Sequence, residues 1–249
     1  MERLDGVVLR RGIGGSRERA RALILAGRIL VNEQKIDKPG AMVAADSVIR
    51  LLGEELRYVS RGGLKLERAL AHWEIDLSGL SCLDIGASTG GFTDCMLQHG
   101  AASVVCVDTG YGQIAQKLRV DPRVKLMERT NARKLAPGDL PAGLDFFAMD
   151  VSFIAASLVL PAVIRAFCTD KCTDKHGVIL VKPQFEAGRE HVGKGGIVRD
   201  DGAHLLAVER VRRTVVENGA VFTDVIESPI TGMEGNREFL LYARFAERC

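Results

Sequence analysis

The chain has 249 residues, 47% hydrophobic and 27% charged, with 27 glycines and seven prolines. That composition excludes collagen-like, low-complexity and disordered classes and provides one large domain, or a large one with a small companion. A net charge of +2 is too weak to announce a nucleic-acid binder. It is unevenly spread, however: residues 1–52 hold ten Lys/Arg against six Asp/Glu, so a basic front end precedes a nearly neutral body.

The first residues, Met1-Glu2-Arg3-Leu4-Asp5, are charged and lead into no apolar core of signal-peptide type, which predicts a cytoplasmic protein. In the front end, Leu4, Val7, Val8 and Leu9 form a short apolar face that ends at Arg10-Arg11-Gly12. Ser16 is a natural N-cap for a second helix running to Gly27. At ~100° per residue, Ala20, Leu23 and Ile24 gather on one side of that helix, and Arg17, Arg21 and Arg28 form a basic ridge beside it. Residues 29–32 then read as a strand, 32–34 as a turn, and 43–52 as further strands around Asp46-Ser47.

The stretch "SRERARALILAGRILVNEQKIDKPGAMVAADSVI" closely resembles the S4 RNA-binding domain across these fifty residues. The resemblance implies that Arg10, Arg11, Arg17, Arg21 and Arg28 lie along a structured RNA, where phosphate contacts position more than they read sequence.

From Ser81 onward strand-like and helical runs alternate. Residues 82–86, 104–108, 124–127, 146–150 and 178–182 read as strands, and 92–99, 113–119 and 157–167 as helices. This rhythm predicts an α/β fold with a mostly parallel, doubly wound sheet. A long helix over 203–217 leads to two late strands, 221–227 and 239–243, which would add an antiparallel edge. The most apolar run, 155–167, contains Pro161 and Arg165 and falls well short of the ~18–20 residues of a membrane-spanning helix. Six cysteines show neither CxxC pairs nor disulfide-scaffold density. Cys168, Cys172 and His176 have a helical spacing that could bring ligands together, but the segment is polar and offers no fourth ligand, so no metal site is expected.

In such sheets ligands bind beyond the carboxyl ends of the strands, where Gly86, Asp108, Asp150 and Lys182 would lie. The strongest local signal is "DIGASTGGFTD", residues 84–94: strand, glycine turn, helix start. A dinucleotide fingerprint would need glycine at Ser88, and a P-loop would need a lysine where Phe92 stands. An S-adenosylmethionine site fits what remains. Asp84 at the strand end would meet the ligand amine, the turn through Gly86, Ser88, Gly90 and Gly91 would let backbone approach the methionine moiety, and Asp108 would bind the ribose hydroxyls. Asp150 and Lys182 each end an apolar strand, a poor place for charge unless it faces a functional crevice.

Together with Lys65 in "SRGGLKLERAL" and Glu238 in "GNREF", these residues resemble the Lys-Asp-Lys-Glu tetrad of FtsJ-like 2′-O-ribose methyltransferases. The added strings "VDTGYGQ", "ERTNAR", "MDVSFI" and "VKPQFEAGREHVGKGGIVRD" extend the resemblance over essentially the whole chain to the TlyA, or hemolysin A, family. That resemblance implies an S4 domain over 1–56, a linker over 57–60 and a Rossmann-like class I methyltransferase domain over 61–249. The implied activity is methylation of a cytidine 2′-hydroxyl in ribosomal RNA, inside ribosomal subunits, with S-adenosylmethionine as donor. It further implies catalytic roles for Lys65, Asp150, Lys182 and Glu238, and a cofactor pocket lined in part by Phe92 and Asn131. The best-known members carry a tryptophan after a basic residue in the linker, whereas this chain has Arg57-Tyr58.

For the chemistry, an in-line methyl transfer needs positioning and removal of the hydroxyl proton. Lys182 could act as a neutral base, favoured by burial and Lys65, or as a cation that stabilises developing alkoxide, favoured by Asp150 and Glu238. The glycine-rich loop over 186–201, with three basic side chains, is expected to be a mobile flap that grips RNA. Phe153, Phe185 and Tyr111 are aromatic groups to which a flipped base could stack. Two other readings are a membrane-acting hemolysin, for which no spanning or strongly amphipathic cationic helix stands out, and an RNA-binding protein with an inert methyltransferase body, against which every glycine and tetrad residue is present.

Overall fold

The protein is described by a computed structural model covering residues 1–52, 57–169, 174–232 and 235–245. It divides into two compact units, Met1–Arg57 and Tyr58–Cys249.

In the first unit β1 (Glu2–Arg3) leads directly into α1 (Leu4–Arg10), followed by α2 (Arg17–Leu25). Next come β2 (Ile29–Val31), β3 (Gln34–Lys35), β4 (Met42–Val43) and β5 (Ile49–Leu51). β2 is the centre of an antiparallel β3-β2-β5 sheet, and β1 pairs with β4. Leu4, Val8, Ala20, Ile24 and Ile29 are fully buried between the helices and strands. As expected, Ser16 caps α2: its hydroxyl accepts the Arg19 amide at 3.2 Å. The helix stops earlier than the apolar spacing suggests. Gly27 takes φ +63° and turns the chain, so Arg28 leaves the α2 surface and donates through Nε to the Leu52 carbonyl at 2.9 Å. The three-arginine ridge is thereby corrected to Arg17 and Arg21 on the helix, with Arg28 fastening the far end of the sheet.

In the second unit α3 (Gly62–His72) precedes β6 (Ser81–Ile85), α4 (Gly91–Gln98), β7 (Ser103–Val107), α5 (Gln116–Arg119) and β8 (Val124–Met127). Then follow β9 (Phe146–Met149), α6 (Ala156–Phe167), β10 (Lys175–Val181), α7 (Pro183–Glu186), α8 (Asp201–Glu217), β11 (Phe222–Glu227) and β12 (Phe239–Phe245). The sheet order is β11-β12-β10-β9-β6-β7-β8. The five strands from β10 to β8 run parallel, and β12 inserts antiparallel between β10 and β11. Alternating side chains feed two cores, one on each face. Leu83 and Ile85 pack on the side of α6 and α8, while Cys82 packs with Leu66, Phe92 and Met96 of α3 and α4.

Tyr58, expected in a linker, is a core residue of the second unit. Its ring lies so close to Gly63 that a Cβ there would stand 2.3 Å from it, and the adjacent Val59 amide donates to Asp94 at 2.8 Å. An aromatic ring and a buried acid give that short segment fixed neighbours. Among the described residues no group of His, Cys, Asp or Glu could hold a metal ion. Cys172, considered above for that role, lies outside the described residues. No helix among the described residues is long and apolar enough to cross a membrane.

Candidate active site

The carboxyl ends of β6, β7, β9 and β10 face one way because these strands are parallel, so the loops that follow them share one rim. The β6 loop is the glycine turn. Gly86 takes φ +84°, and a Cβ on it would sit 2.4 Å from the carbonyl oxygen of Asp150, the residue that follows β9. No side chain fits there. Ser88 also adopts a left-handed backbone, φ +48°, and its amide donates to Asp108 Oδ2 at 2.8 Å. The other Asp108 oxygen accepts the Gly110 amide at 2.6 Å. Asp108 thus ties the β6 and β7 loops together, each oxygen retaining acceptor capacity for a hydroxyl.

The two later glycines serve packing. At Gly90, φ +93°, a Cβ would collide with Leu118 at 2.3 Å. At Gly91, where α4 begins, it would meet Ser60 Oγ at 2.3 Å and the Gly63 amide nitrogen at 3.1 Å. Phe92 is likewise buried in the core beside α3, and Asn131 is exposed, its side chain accepting the Arg133 amide at 3.0 Å to cap a 3₁₀ turn. Neither lines the small cavity beside the glycine turn, which is bounded by Ala87, Ser88, Cys106, Asp108, Gly110, Gln113, Ile114, Leu126 and Glu128. Gln113, Ile114, Leu126 and Glu128 were not singled out from sequence. The signals that pointed toward them were the strings "VDTGYGQ", which ends at Gln113, and "ERTNAR", which begins at Glu128, and the apolar Ile114 in an otherwise polar loop. Glu128 shapes the rim by accepting the Gly112 amide at 2.7 Å and pairing with Arg119 at 2.5 Å, which holds its carboxyl below the usual range.

Asp84 lies beneath the turn with no solvent exposure. Its Oδ2 accepts both the amide, at 2.9 Å, and the hydroxyl, at 2.6 Å, of Thr93. Its Oδ1 has no hydrogen-bond partner. Burial pushes the Asp84 carboxyl up to about 7, with Asp150 and Asp108 adding to the effect and the Thr93 hydrogen bonds opposing it. A buried acid with one vacant acceptor, a glycine turn closed to side chains, and an apolar-walled pocket ending on a ribose-ready carboxylate fit S-adenosylmethionine.

The tetrad residues assemble as two lysine–acid pairs. Asp150 and Lys182 directly follow adjacent parallel strands, and Lys182 Nζ lies 2.6 Å from Asp150 Oδ1 while donating to Ser152 Oγ at 2.6 Å. The antiparallel register sets Val181 opposite Phe239, so Glu238 stands next to Lys182 at the strand ends. Lys65, buried on α3, reaches across to Glu238 Oε2 at 2.5 Å. One residue beyond Ser152, the partner of Lys182, the chain turns at Phe153, which takes φ +66° and leaves its ring 93% exposed, 5.9 Å from the Phe185 ring. A bulky residue in a left-handed backbone stores strain of about 1–3 kcal/mol, and such strain concentrates at functional sites. Tyr111 is also exposed, with the Arg129 guanidinium 4.4 Å from its ring.

On the first unit, Arg10 pairs with Glu2 at 2.5 Å, Arg17 with Asp5 at 3.6 Å, and Arg11 donates to the Ala45 carbonyl at 3.3 Å. Arg21 projects from α2 into solvent.

The chain is similar to known proteins over nearly its whole length. The FtsJ-like methyltransferase family model matches residues 58–245, and the S4 domain model matches residues 2–49. The chain is 48% identical to Bacillus subtilis YqxC over 97% of its own length and 85% of that protein's. It is 42% identical to the Mycobacterium tuberculosis 16S/23S rRNA (cytidine-2′-O)-methyltransferase TlyA, covering 97% of this chain and 89% of that protein. A solved Streptococcus thermophilus structure aligns with a TM-score of 0.73 at 43% identity, over 98% of this chain and 88% of the other.

Proposed function

This chain belongs to the FtsJ-like methyltransferase family and carries an S4 domain at its N-terminus; from that premise we propose that it methylates a cytidine ribose 2′-hydroxyl of ribosomal RNA, using S-adenosylmethionine. One observation carries the reading: the Gly86 turn, suited to the cofactor, is packed against the Asp150 backbone, so a methyl donor held there lies beside the Asp150–Lys182 pair. S-adenosylmethionine supplies an activated methyl group on a sulfonium. The vacant Asp84 oxygen would take its ammonium group, Asp108 its ribose hydroxyls, and Ala87, Ile114 and Leu126 its adenine.

Each tetrad lysine sits against a carboxylate, which supports the cationic role for Lys182. As an ammonium held by Asp150 and Ser152, Lys182 would orient the 2′-hydroxyl and stabilise the oxygen as its proton leaves to water. Lys65 and Glu238 would fix the neighbouring wall. The S4 arginines Arg10, Arg11, Arg17 and Arg21 would contact RNA phosphates. Phe153 and Phe185 would receive the target base, since Phe153 holds a strained, exposed ring one residue after Ser152, the partner of Lys182. The rRNA substrate carries with it a cytoplasmic site of action.

The test is transfer of labelled methyl from S-adenosylmethionine to purified 30S and 50S subunits lacking the modification. Wild type is expected to label RNA, and Lys182→Ala to bind the cofactor while losing about 100-fold or more of the transfer. A wild-type protein that binds the cofactor and labels neither subunit nor free rRNA would overturn the proposal.

A further inference from the structure

The loop between α7 and α8, expected to be a mobile flap, is fastened at its second half by a side chain outside the tetrad. Asn236 is buried, 1% exposed, two residues before Glu238. Its Oδ1 accepts the Val198 amide at 2.9 Å, and its Nδ2 donates to the Gly196 carbonyl at 2.9 Å. The side chain therefore copies a backbone strand pairing, using both ends of its amide. The loop side is independently braced: the Gly193 amide donates to the Ile197 carbonyl at 3.0 Å, and His204 Nε2 lies 3.1 Å from the Val198 carbonyl. On the other side the Asn236 carbonyl accepts the Gly232 amide at 2.9 Å, and Gly232 is so near Glu238 that a Cβ there would lie 2.7 Å from Oε1. One amide thus joins the glycine-rich loop, with its exposed Arg189, Lys194 and Arg199, to the segment that places the Glu238–Lys65 pair.

We propose that Asn236 is a positioning residue for methyl transfer: by locking Gly196–Val198 onto the approach to β12 it holds Glu238 and Lys65 in place and presents the loop to RNA as a fixed rim. This rests on the rRNA methyltransferase reading, with Asn236 touching neither cofactor nor RNA.

Asn236→Ala and Asn236→Asp in the full chain test it. Asn236→Ala is expected to raise KM for the ribosomal subunit and lower kcat, each by about tenfold, the scale of one buried hydrogen-bonding partner lost, with S-adenosylmethionine affinity within about twofold of wild type. Asn236→Asp turns a repulsive carboxylate oxygen toward the Gly196 carbonyl, but its protonated form can donate there as the amide does. Its activity relative to wild type at the same pH should therefore climb as pH falls, which a general packing role would not produce. Unchanged kinetics in Asn236→Ala, a flat pH ratio in Asn236→Asp, or loss of cofactor affinity in step with RNA kinetics would each overturn the proposal. Hydrogen exchange separates this from failure of the function itself. Whether or not wild type labels any RNA, Asn236→Ala must speed exchange in the 193–199 segment while the β6 and β7 amides keep their protection; uniform acceleration, or none, refutes the latch.

Discussion

Replacing Asp84 by asparagine is expected to stabilise the ligand-free protein above neutral pH while weakening its hold on S-adenosylmethionine. Burial raises the Asp84 carboxyl from 3.8 to about 7, so the folded chain keeps a proton that the unfolded chain has released. Stability then falls as pH climbs from 3.8 to about 7 and is flat beyond. Between pH 5 and pH 8 this one group removes ~2–3 kcal/mol, at ~1.4 kcal/mol per pH unit over the part of the interval below its folded-state pKa. Asparagine retains an oxygen to accept from Thr93 and has no charge to desolvate, so the variant lacks that slope. Denaturant unfolding at the two pH values measures it. The chain's one tryptophan, Trp73, stacks on Tyr242 at 5.2 Å and donates to Asp224 at 2.9 Å, so its emission reports the second unit alone. Titrations of groups remote from Asp84 are common to both proteins and cancel in the difference. Cofactor binding should move the opposite way: wild type binds more tightly as pH rises through about 7, and Asp84→Asn loses about tenfold to a hundredfold in affinity with the charged partner gone. Equal pH slopes for the two proteins, or equal cofactor affinity, would refute the assigned environment of Asp84.

Three shorter predictions follow from the same geometry. Arg21→Glu should weaken rRNA binding and lower its salt dependence by about one ion without changing stability, whereas Arg28→Ala should cost about 1 kcal/mol through its lost bond to Leu52; comparing salt titrations with melting curves separates the two. Gly91→Ala should destabilise the second unit by about 1–3 kcal/mol, because its Cβ meets the Gly63 backbone as well as Ser60; thermal unfolding checks it. Phe153→Gly should raise Tm by relieving about 1 kcal/mol of left-handed strain while raising KM for the subunit, measured in the same labelling assay.

The sheet strands were legible because each is a short apolar run closed by glycine or a charge, the pattern a strand buried on both faces must have. Asp150 and Lys182 stood out for a related reason, since each follows such a run, whereas Lys65 and Glu238 were singled out only by the resemblance to the FtsJ-like tetrad. Side-chain direction was harder to read. The motif that yielded Gly86 and Asp108 also yielded Phe92 and Gly91, yet these two face the α3 packing, because a helix start has an inner as well as an outer side. Arg28 was misplaced by extending helical spacing through Gly27, whose left-handed backbone ends the helix. The hairpin at Asn32 and Glu33 was read as a turn, but its two successive positive φ angles, 50° and 63°, in a sequence without glycine follow from the pairing of β2 with β3. Asn236 was hidden for a similar reason, since its value depends on Gly196 and Val198, forty residues away in sequence for the first of them.

The insertion of β12 between β10 and β11 sets an order of events during synthesis. Lys65 leaves the ribosome 173 residues ahead of Glu238, the carboxylate that neutralises it. Until that last strand threads into the sheet, the early half of the body carries a lysine with no counter-ion and a glycine turn with no completed wall beside it. Any nascent or shortened chain that stops before residue 238 thus has all of its first unit but lacks the carboxylate that pairs with Lys65.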